Sequence, residues 1–220
     1  PVLDGSINLV GGRIDDIGFK KYRETTDPKS PEIDLLSPVG GKDPYFADFG
    51  WLSDAGSPVK VPGPETRWTQ KGAGALGVGT PVVMTWDNGE GFVFERTVSV
   101  DDRYMFEITD KVTNASGRAT TIYPYSVLTR EGTPQTSGYY VLHEGAIGVF
   151  GDDGLKEIGY KDLKEKLKVE PNKVAGAWIG FVDKYWATAL VPDKAAKVQP
   201  RFAATPAAAG RADVYQTFML

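Results

Sequence analysis

Apolar and polar residues alternate along a nine-residue segment of this chain, and that pattern most constrains its fold. In Phe92–Val100 the apolar side chains stand at Phe92, Phe94, Val98 and Val100. Successive side chains of a β-strand point to opposite faces, so this alternation is typical of a strand with one buried face. The segment predicts a strand that packs one side against a core.

A second segment repeats the alternation directly afterwards. Its apolar residues are Tyr104, Phe106, Ile108 and Val112. Asp110 interrupts this row, which predicts that the far end of the strand bulges or leaves the core. Val100–Arg103 lies between the two segments and has the composition of a tight hairpin turn. Asp87–Gly89 precedes them, and its Asn-Gly pair tolerates the positive φ angles of a primed turn.

Later segments extend the same organisation. Further strands are predicted in Ala119–Thr129, Tyr139–Phe150, Ala177–Val182 and Tyr185–Val191, with turns at 151–154 and 183–184. These signals give roughly ten to fourteen strands. One short helix is predicted at Tyr160–Lys168, where Leu163 and Leu167 share a side at the i, i+4 spacing. Such a helix needs to dock on the sheet, because isolated helices of that length are marginal.

Two segments are predicted to be loops. Leu52–Gly79 is rich in Gly and Pro, which fits either an interdomain linker or a long sandwich loop. We favour the loop, because Arg67–Thr69 within it has the character of a short edge strand. Thr205–Gly210 predicts a mobile loop between two late strands. Many strands with few helices favour an all-β fold, a two-sheet β-sandwich with at most one or two short helices.

Composition bounds the function. The 220 residues fit one domain spanning 1–220 and carry a formal charge of −4 with no cysteine. Disulfides are therefore excluded, and the mild acidity argues against nucleic-acid binding, which needs a concentrated basic surface. No stretch reaches the ~18 to 20 consecutive apolar residues that cross a bilayer. The first residues, Pro1–Asp4, lack the charged and apolar regions of a signal peptide.

Catalytic and metal signals are weak. His143 is the only histidine, and Glu144 beside it would point to the opposite face of a strand, so the two do not form an acid–base pair. Zinc needs more His or Cys ligands than the chain has. The calcium candidates are the pairs Asp15–Asp16, Asp101–Asp102 and Asp152–Asp153, which turn chemistry explains equally well. Gly72–Gly77 fits Gly-x-Gly-x-x-Gly but lacks the strand and helix of a dinucleotide site.

Several segments together resemble the large first periplasmic domain of the YidC family of membrane protein insertases. The resemblance is carried by Gly5–Leu9, Gly12–Asp16, Ser37–Pro38, Tyr45–Trp51, Ser137–Phe150, Gly176–Gly180 and Asp183–Asp193. It implies a β-supersandwich related to galactose mutarotases, on the periplasmic side of the Gram-negative inner membrane. It also implies a domain truncated before its C-terminal strands and helices and separated from its flanking transmembrane segments.

The resemblance further implies a non-catalytic docking module without cofactor or metal, tethered to the membrane in the full-length protein. Its expected partners are Sec translocon accessory subunits and nascent membrane proteins. The candidate partner-binding residues are Trp178, Lys184, Tyr185 and Trp186. Two alternatives remain: a carbohydrate- or peptide-binding module, which exposed aromatic residues lining a groove would favour, and a mutarotase-like sugar enzyme, which the single histidine disfavours.

Overall fold

Antiparallel strands make up most of the computed structural model, which describes residues 2–136 and 142–220. One short α-helix, α1, spans Tyr160–Lys166, and a single 3-10 turn spans Gly151–Asp153. The strands, in chain order, are β1 (Leu3–Asn8), β2 (Arg13–Arg23), β3 (Glu32–Leu36), β4 (Tyr45–Ser53), β5 (Thr69–Lys71), β6 (Val82–Asp87), β7 (Phe92–Val100), β8 (Phe106–Asn114), β9 (Ile122–Glu131), β10 (Gly145–Val149), β11 (Leu155–Gly159), β12 (Lys168–Val169), β13 (Val174–Ala175), β14 (Trp178–Val182), β15 (Ala187–Leu190), β16 (Lys197–Val198), β17 (Pro200–Thr205) and β18 (Val214–Met219).

These strands form one large sheet and two smaller ones. The large sheet has eight strands in the order β1-β2-β4-β9-β18-β17-β12, with β3 also paired to β2. The first small sheet has the order β5-β6-β7-β8, and the second has the order β11-β10-β14-β15. A two-stranded ribbon, β13-β16, completes the arrangement. The number of strands exceeds the predicted range, because pairs as short as two residues leave no periodic signal in the sequence.

The large sheet packs against both small sheets through strand β4. The Tyr45 ring lies 6.0 Å from the Phe181 ring of β14, and the Trp51 ring lies 6.2 Å from the Phe94 ring of β7. One cluster of buried residues includes side chains from all three sheets. The predicted all-β sandwich with at most one or two short helices is confirmed, and its second layer is divided into two sheets.

The alternation is confirmed for β7 and for Phe106, Ile108 and Val112 of β8. Tyr104, however, lies in the preceding turn with a φ of 65° and is 40% exposed. The role predicted for Asp110 is also wrong. The two strands pair without a break from Phe92–Asn114 to Val100–Phe106. Asp110 lies opposite Arg96 and accepts two hydrogen bonds from its guanidinium, at 2.8 and 2.7 Å. The polar residue therefore keeps its place in the inward row because a buried arginine faces it.

The predicted helix and loop are confirmed with changed details. Helix α1 buries Tyr160 and Leu163, whereas Leu167 is half exposed and follows the helix with a φ of 64°. The i, i+4 pairing of the two leucines is wrong, because the helix ends one residue before Leu167. In the Gly- and Pro-rich loop, the edge strand begins at Thr69, two residues later than predicted, and Trp68 is buried in the core.

The predicted turns lie between the expected strands. Asp101 caps the β7–β8 turn by accepting hydrogen bonds from the backbone of Arg103 and Met105. The strand predicted from Tyr139 begins later, at Gly145, and residues 139–141 lie outside the described part of the chain. The loop predicted at 205–210 joins β17 to β18.

Candidate interaction surfaces

The predicted hairpin forms from β14 and β15, but its turn spans residues 183–186 instead of 183–184, because β15 begins at Ala187 and not at Tyr185. Asp183 donates its backbone N–H to the carbonyl oxygen of Trp186 at 2.8 Å, which closes the turn over Lys184 and Tyr185. The Lys184 ammonium lies 4.9 Å from the centre of the Tyr185 ring, and Tyr185 is 72% exposed. The turn thus presents the Tyr185 ring to solvent, with the half-buried Lys184 beside it.

Trp186 joins this hairpin to strand β2. Its ring stacks on Phe19 with centroids 4.3 Å apart and meets the edge of Tyr22 at 4.9 Å. Tyr22 is 49% exposed. We call Phe19, Tyr22, Lys184, Tyr185 and Trp186 the tip surface. Aromatic contacts of this kind contribute about 0.5–1.5 kcal/mol each beyond burial, so they hold the two segments together.

Phe19 and Tyr22 were not among the partner-binding residues predicted from the sequence. Residues three apart on a regular strand point to opposite faces. Here the pairing of β2 with β3 shifts its register between Phe19 and Arg23. That irregularity lets both rings reach Trp186, and no local pattern of the sequence predicts it.

An ion pair fixes the base of the hairpin to the large sheet. Arg130 of β9 donates from Nη1 to both carboxylate oxygens of Asp183, at 2.9 and 2.7 Å, and to the Tyr160 hydroxyl at 2.9 Å. Its guanidinium also lies 4.6 Å from the centre of the Tyr45 ring. Burial raises the pKa of Tyr45 and that of Tyr160 well above 10.0, so both hydroxyls stay protonated. The tip surface therefore rests on a rigid base.

Trp178 lies apart from the other three predicted partner-binding residues. It begins β14 and pairs with Val149, whereas Lys184, Tyr185 and Trp186 follow the other end of that strand. Five residues of strand separate the two ends by roughly 15 Å. The structure brings three of the four candidates together and places Trp178 on the outward face of the sheet.

A shallow depression lies on the large sheet, on the side away from the small sheets. It has a volume of about 360 Å³ and is lined by side chains of β4, β9, β17 and β18. Tyr125 and Phe218 stack within it with centroids 5.6 Å apart, and the Tyr125 ring crosses Gly50, where a Cβ atom would lie 2.6 Å from it. Aromatic residues thus line one groove, which keeps the binding-module alternative open.

The charges of this depression are already paired. Arg201 contacts Glu170 at 2.5 Å, and Arg13 donates from Nε to Asp48 at 2.7 Å. Burial raises the pKa of Asp48, and the neighbouring Arg13 guanidinium opposes that rise. A ligand here would meet a surface of aromatic and neutral groups.

The catalytic candidates of the sequence are placed differently from the prediction. His143 precedes β10 instead of lying in a strand, so the argument from opposite strand faces does not apply to it. Its Nε2 lies 2.9 Å from the carbonyl oxygen of Ala146, within hydrogen-bonding distance. Asp15 and Asp16 lie within β2 and not at a turn. They accept hydrogen bonds from Asn8 and Ser6.

Across the part of the chain that the structure describes, no three His, Asp or Glu side chains converge as a metal site. The predicted lack of a cofactor and of a metal stays a prediction.

Comparison with known proteins identifies the family. The family model described as the YidC periplasmic domain matches residues 1–219. The chain belongs to this family. The expected location on the periplasmic side of the inner membrane is thereby confirmed. Among residues 2–136 and 142–220, no helix has the length and apolar character that crossing a membrane requires.

Relatives of the YidC family match almost the entire chain. The membrane protein insertase YidC of Nitrobacter hamburgensis is 50% identical over 216 residues, which is 98% of this chain and 35% of that protein. The insertase YidC of Bradyrhizobium diazoefficiens is 50% identical over 217 residues, 99% of this chain and 34% of that protein. The chain spans about a third of the length of these relatives.

Proposed function

We propose that this domain is a non-catalytic docking module of a membrane protein insertase, and that its tip surface binds accessory subunits of the Sec translocon. In this role the domain positions the insertase beside the translocon while membrane proteins emerge. The single observation that carries the proposal is the exposed aromatic tip, where Tyr185 and Tyr22 are 72% and 49% exposed and the Trp186 ring contacts Phe19 and Tyr22.

The chemistry of the tip supports a protein partner. Tyr and Trp are enriched at the centres of protein interfaces, because they bury much area at little entropic cost. The Arg130–Asp183 ion pair holds the hairpin before binding, which lowers the ordering cost of association. An insertase role for the intact protein is supported by the names of the relatives.

The test is a pull-down of translocon accessory subunits with the Lys184→Glu variant. Reversing this charge at the exposed turn is expected to weaken capture at least fivefold while the fold stays intact. The matched control is Lys111→Glu on the outward side of β8, which changes charge equally at an exposed site far from the tip. Unchanged capture by Lys184→Glu would remove the tip surface from the proposal.

A further inference from the structure

The two central strands of the sheet β11-β10-β14-β15 are apolar on both faces. Strand β10 reads Gly-Ala-Ile-Gly-Val and strand β14 reads Trp-Ile-Gly-Phe-Val, so neither contains a polar side chain. Ala146, Ile179 and Phe181 point inward and are fully buried against the large sheet. The remaining side chains of these strands must therefore point to the other side.

Cross-strand pairs define that outward face. Val149 pairs with both Leu155 and Trp178, and Val182 pairs with Ala187. Leu155 is 56% exposed, and Val191, one residue beyond β15, is 64% exposed. We define the outer apolar face by Ile147, Val149, Leu155, Trp178, Val182 and Ala189. The paired residues of β10, β14 and β15 on this face carry no charge, and Glu157 stands at its rim on the edge strand β11.

The shape of the outer apolar face suits the binding of an α-helix. Gly180 pairs with Ala189, and a Cβ atom at Gly180 would lie 1.9 Å from the Thr188 carbonyl oxygen, so the backbones approach closely there. Gly180 and Ala189 therefore leave a shallow depression beside the larger side chains of Trp178, Val149 and Leu155. Small residues let a helix backbone approach closely, and a larger side chain next to them fixes its position.

A solvent-facing side of an antiparallel sheet ordinarily carries polar residues. Contiguous apolar surface on a soluble domain marks a site that another molecule covers. We propose that the outer apolar face transiently binds one uncharged, apolar α-helical segment of a membrane protein that is being inserted. This proposal rests on the proposed function, because it assumes that such segments emerge beside the domain.

The size of the face favours one helix over a second copy of the chain. Four strands at ~4.8 Å spacing and five residues at ~3.4 Å give a patch of roughly 300 Å². A stable interface between two proteins buries about 800 Å² on each partner, so this patch is too small for a lasting dimer. A helix is about 10 Å wide and rises ~1.5 Å per residue, so about 12 residues fit along the patch.

The absence of charge on the central strands fits the same occupant. A segment that will enter a bilayer is a run of about 20 predominantly apolar residues. It would meet the hydrocarbon surface of β10, β14 and β15 without leaving a charge unpaired. Interfaces between soluble proteins usually have a polar rim, whereas Glu157 of the edge strand β11 is the only charged side chain that faces outward on these four strands.

Photocrosslinking in native membranes tests this proposal with the full-length protein. A photoreactive residue replaces Ala187, which is the cross-strand partner of Val182 on the outer apolar face. The probe is a ribosome-stalled nascent chain that exposes one helix of about 20 leucines and alanines. We expect an adduct between the two. Adding Ala189→Arg should reduce that adduct at least fivefold, whereas the matched change Thr109→Arg on the outward side of β8 should leave it unchanged.

Three outcomes would overturn the proposal: an adduct that Ala189→Arg leaves intact, an adduct with a second copy of the chain, or an adduct with another segment of the same polypeptide. Capture of translocon subunits is scored in the same membranes with Lys184→Glu. If that capture is independent of Lys184 but the Ala187 adduct forms, the proposed docking at the tip surface is contradicted and the proposed helix-binding site is supported. Loss of the adduct alone removes only the helix site.

Discussion

The two small sheets pack against the same large sheet but present opposite chemistry to solvent. On the outward side of β8 the exposed residues are Glu107, Thr109, Lys111 and Thr113. The outer apolar face of β10, β14 and β15 has no charge in the corresponding positions. Each sheet has fully buried residues on its inner side, Phe94 and Val98 in one and Ile179 and Phe181 in the other. Burial in the core therefore explains the inner sides of both sheets, whereas the apolar outer side of one of them is typical of a site that another segment or molecule covers.

The two sheets also differ in how an Arg–Asp pair attaches them. In the β5–β8 sheet, Arg96 is fully buried and pairs with Asp110 of its own sheet while donating to the Gly12 carbonyl oxygen of the large sheet at 3.2 Å. For the other sheet, Arg130 comes from the large sheet and reaches Asp183, with side-chain exposures of 16% and 28%. The first pair, with side-chain exposures of 0% and 17%, is more buried than the second, so we expect its loss to destabilise the fold more.

The largest effect is expected for Arg96→Met. Removing the guanidinium leaves Asp110 without its partner in the core and is expected to lower the free energy of unfolding by about 3–5 kcal/mol. Urea denaturation measures this loss. The double variant Arg96→Met/Asp110→Leu should recover much of it, because no unpaired charge remains. If the double variant is as unstable as the single one, the instability of Arg96→Met does not come from the unpaired charge of Asp110.

Arg130→Met should have a smaller effect. The expected loss in the free energy of unfolding is about 1.5–3 kcal/mol, the range for hydrogen bonds to charged groups. The matched control is Arg118→Met, whose exposed pair with Glu90 at 3.6 Å should contribute less than about 1 kcal/mol. Equal losses for Arg96→Met and Arg130→Met, measured in the same denaturant series, would contradict the difference between the two attachments.

Acid should weaken the surroundings of α1 and β12. The hydrogen bond from Lys164 lowers the pKa of Asp213 below 3.8, and hydrogen bonds from Lys168 and Arg201 lower that of Glu170 below 4.5. Because these pKa values are lower in the folded state, the carboxylates stabilise the fold above pH 4.5. That contribution is lost as the pH falls through the folded-state values. Thermal unfolding followed from pH 6 to pH 3 measures the loss.

The Asp213→Asn variant provides the control for the acid experiment. It should be less stable than the parent at pH 6 and should lose less stability on acidification, since one of the two titrating groups is gone. Parallel pH profiles for the variant and the parent would mean that Asp213 does not titrate with folding. The Asp48 carboxyl shifts in the opposite direction because of burial, so it partly offsets the total slope.

Much of the fold followed from period-two alternation. The inward residues of β7 and the hairpins around 101–105 and 183–186 were predictable, because burial of one strand face and turn composition are local properties. The extra short strands and the end of α1 before Leu167 were not, because two-residue pairings and helix ends depend on contacts made after folding. The assignment of Lys184, Tyr185 and Trp186 to a partner remains a prediction.

The sequence by itself determined the all-β class, the inward face of each long strand and the family, since these depend on residue type and spacing. Only the tertiary structure decided that Phe19 and Tyr22 complete the tip surface, that Asp110 stays inside with Arg96, and that Trp178 belongs to an outer apolar face. In each case the deciding contact joins residues from different strands. A register shift, a buried charge and a second apolar side arise from pairing between strands, and spacing along one strand does not encode them.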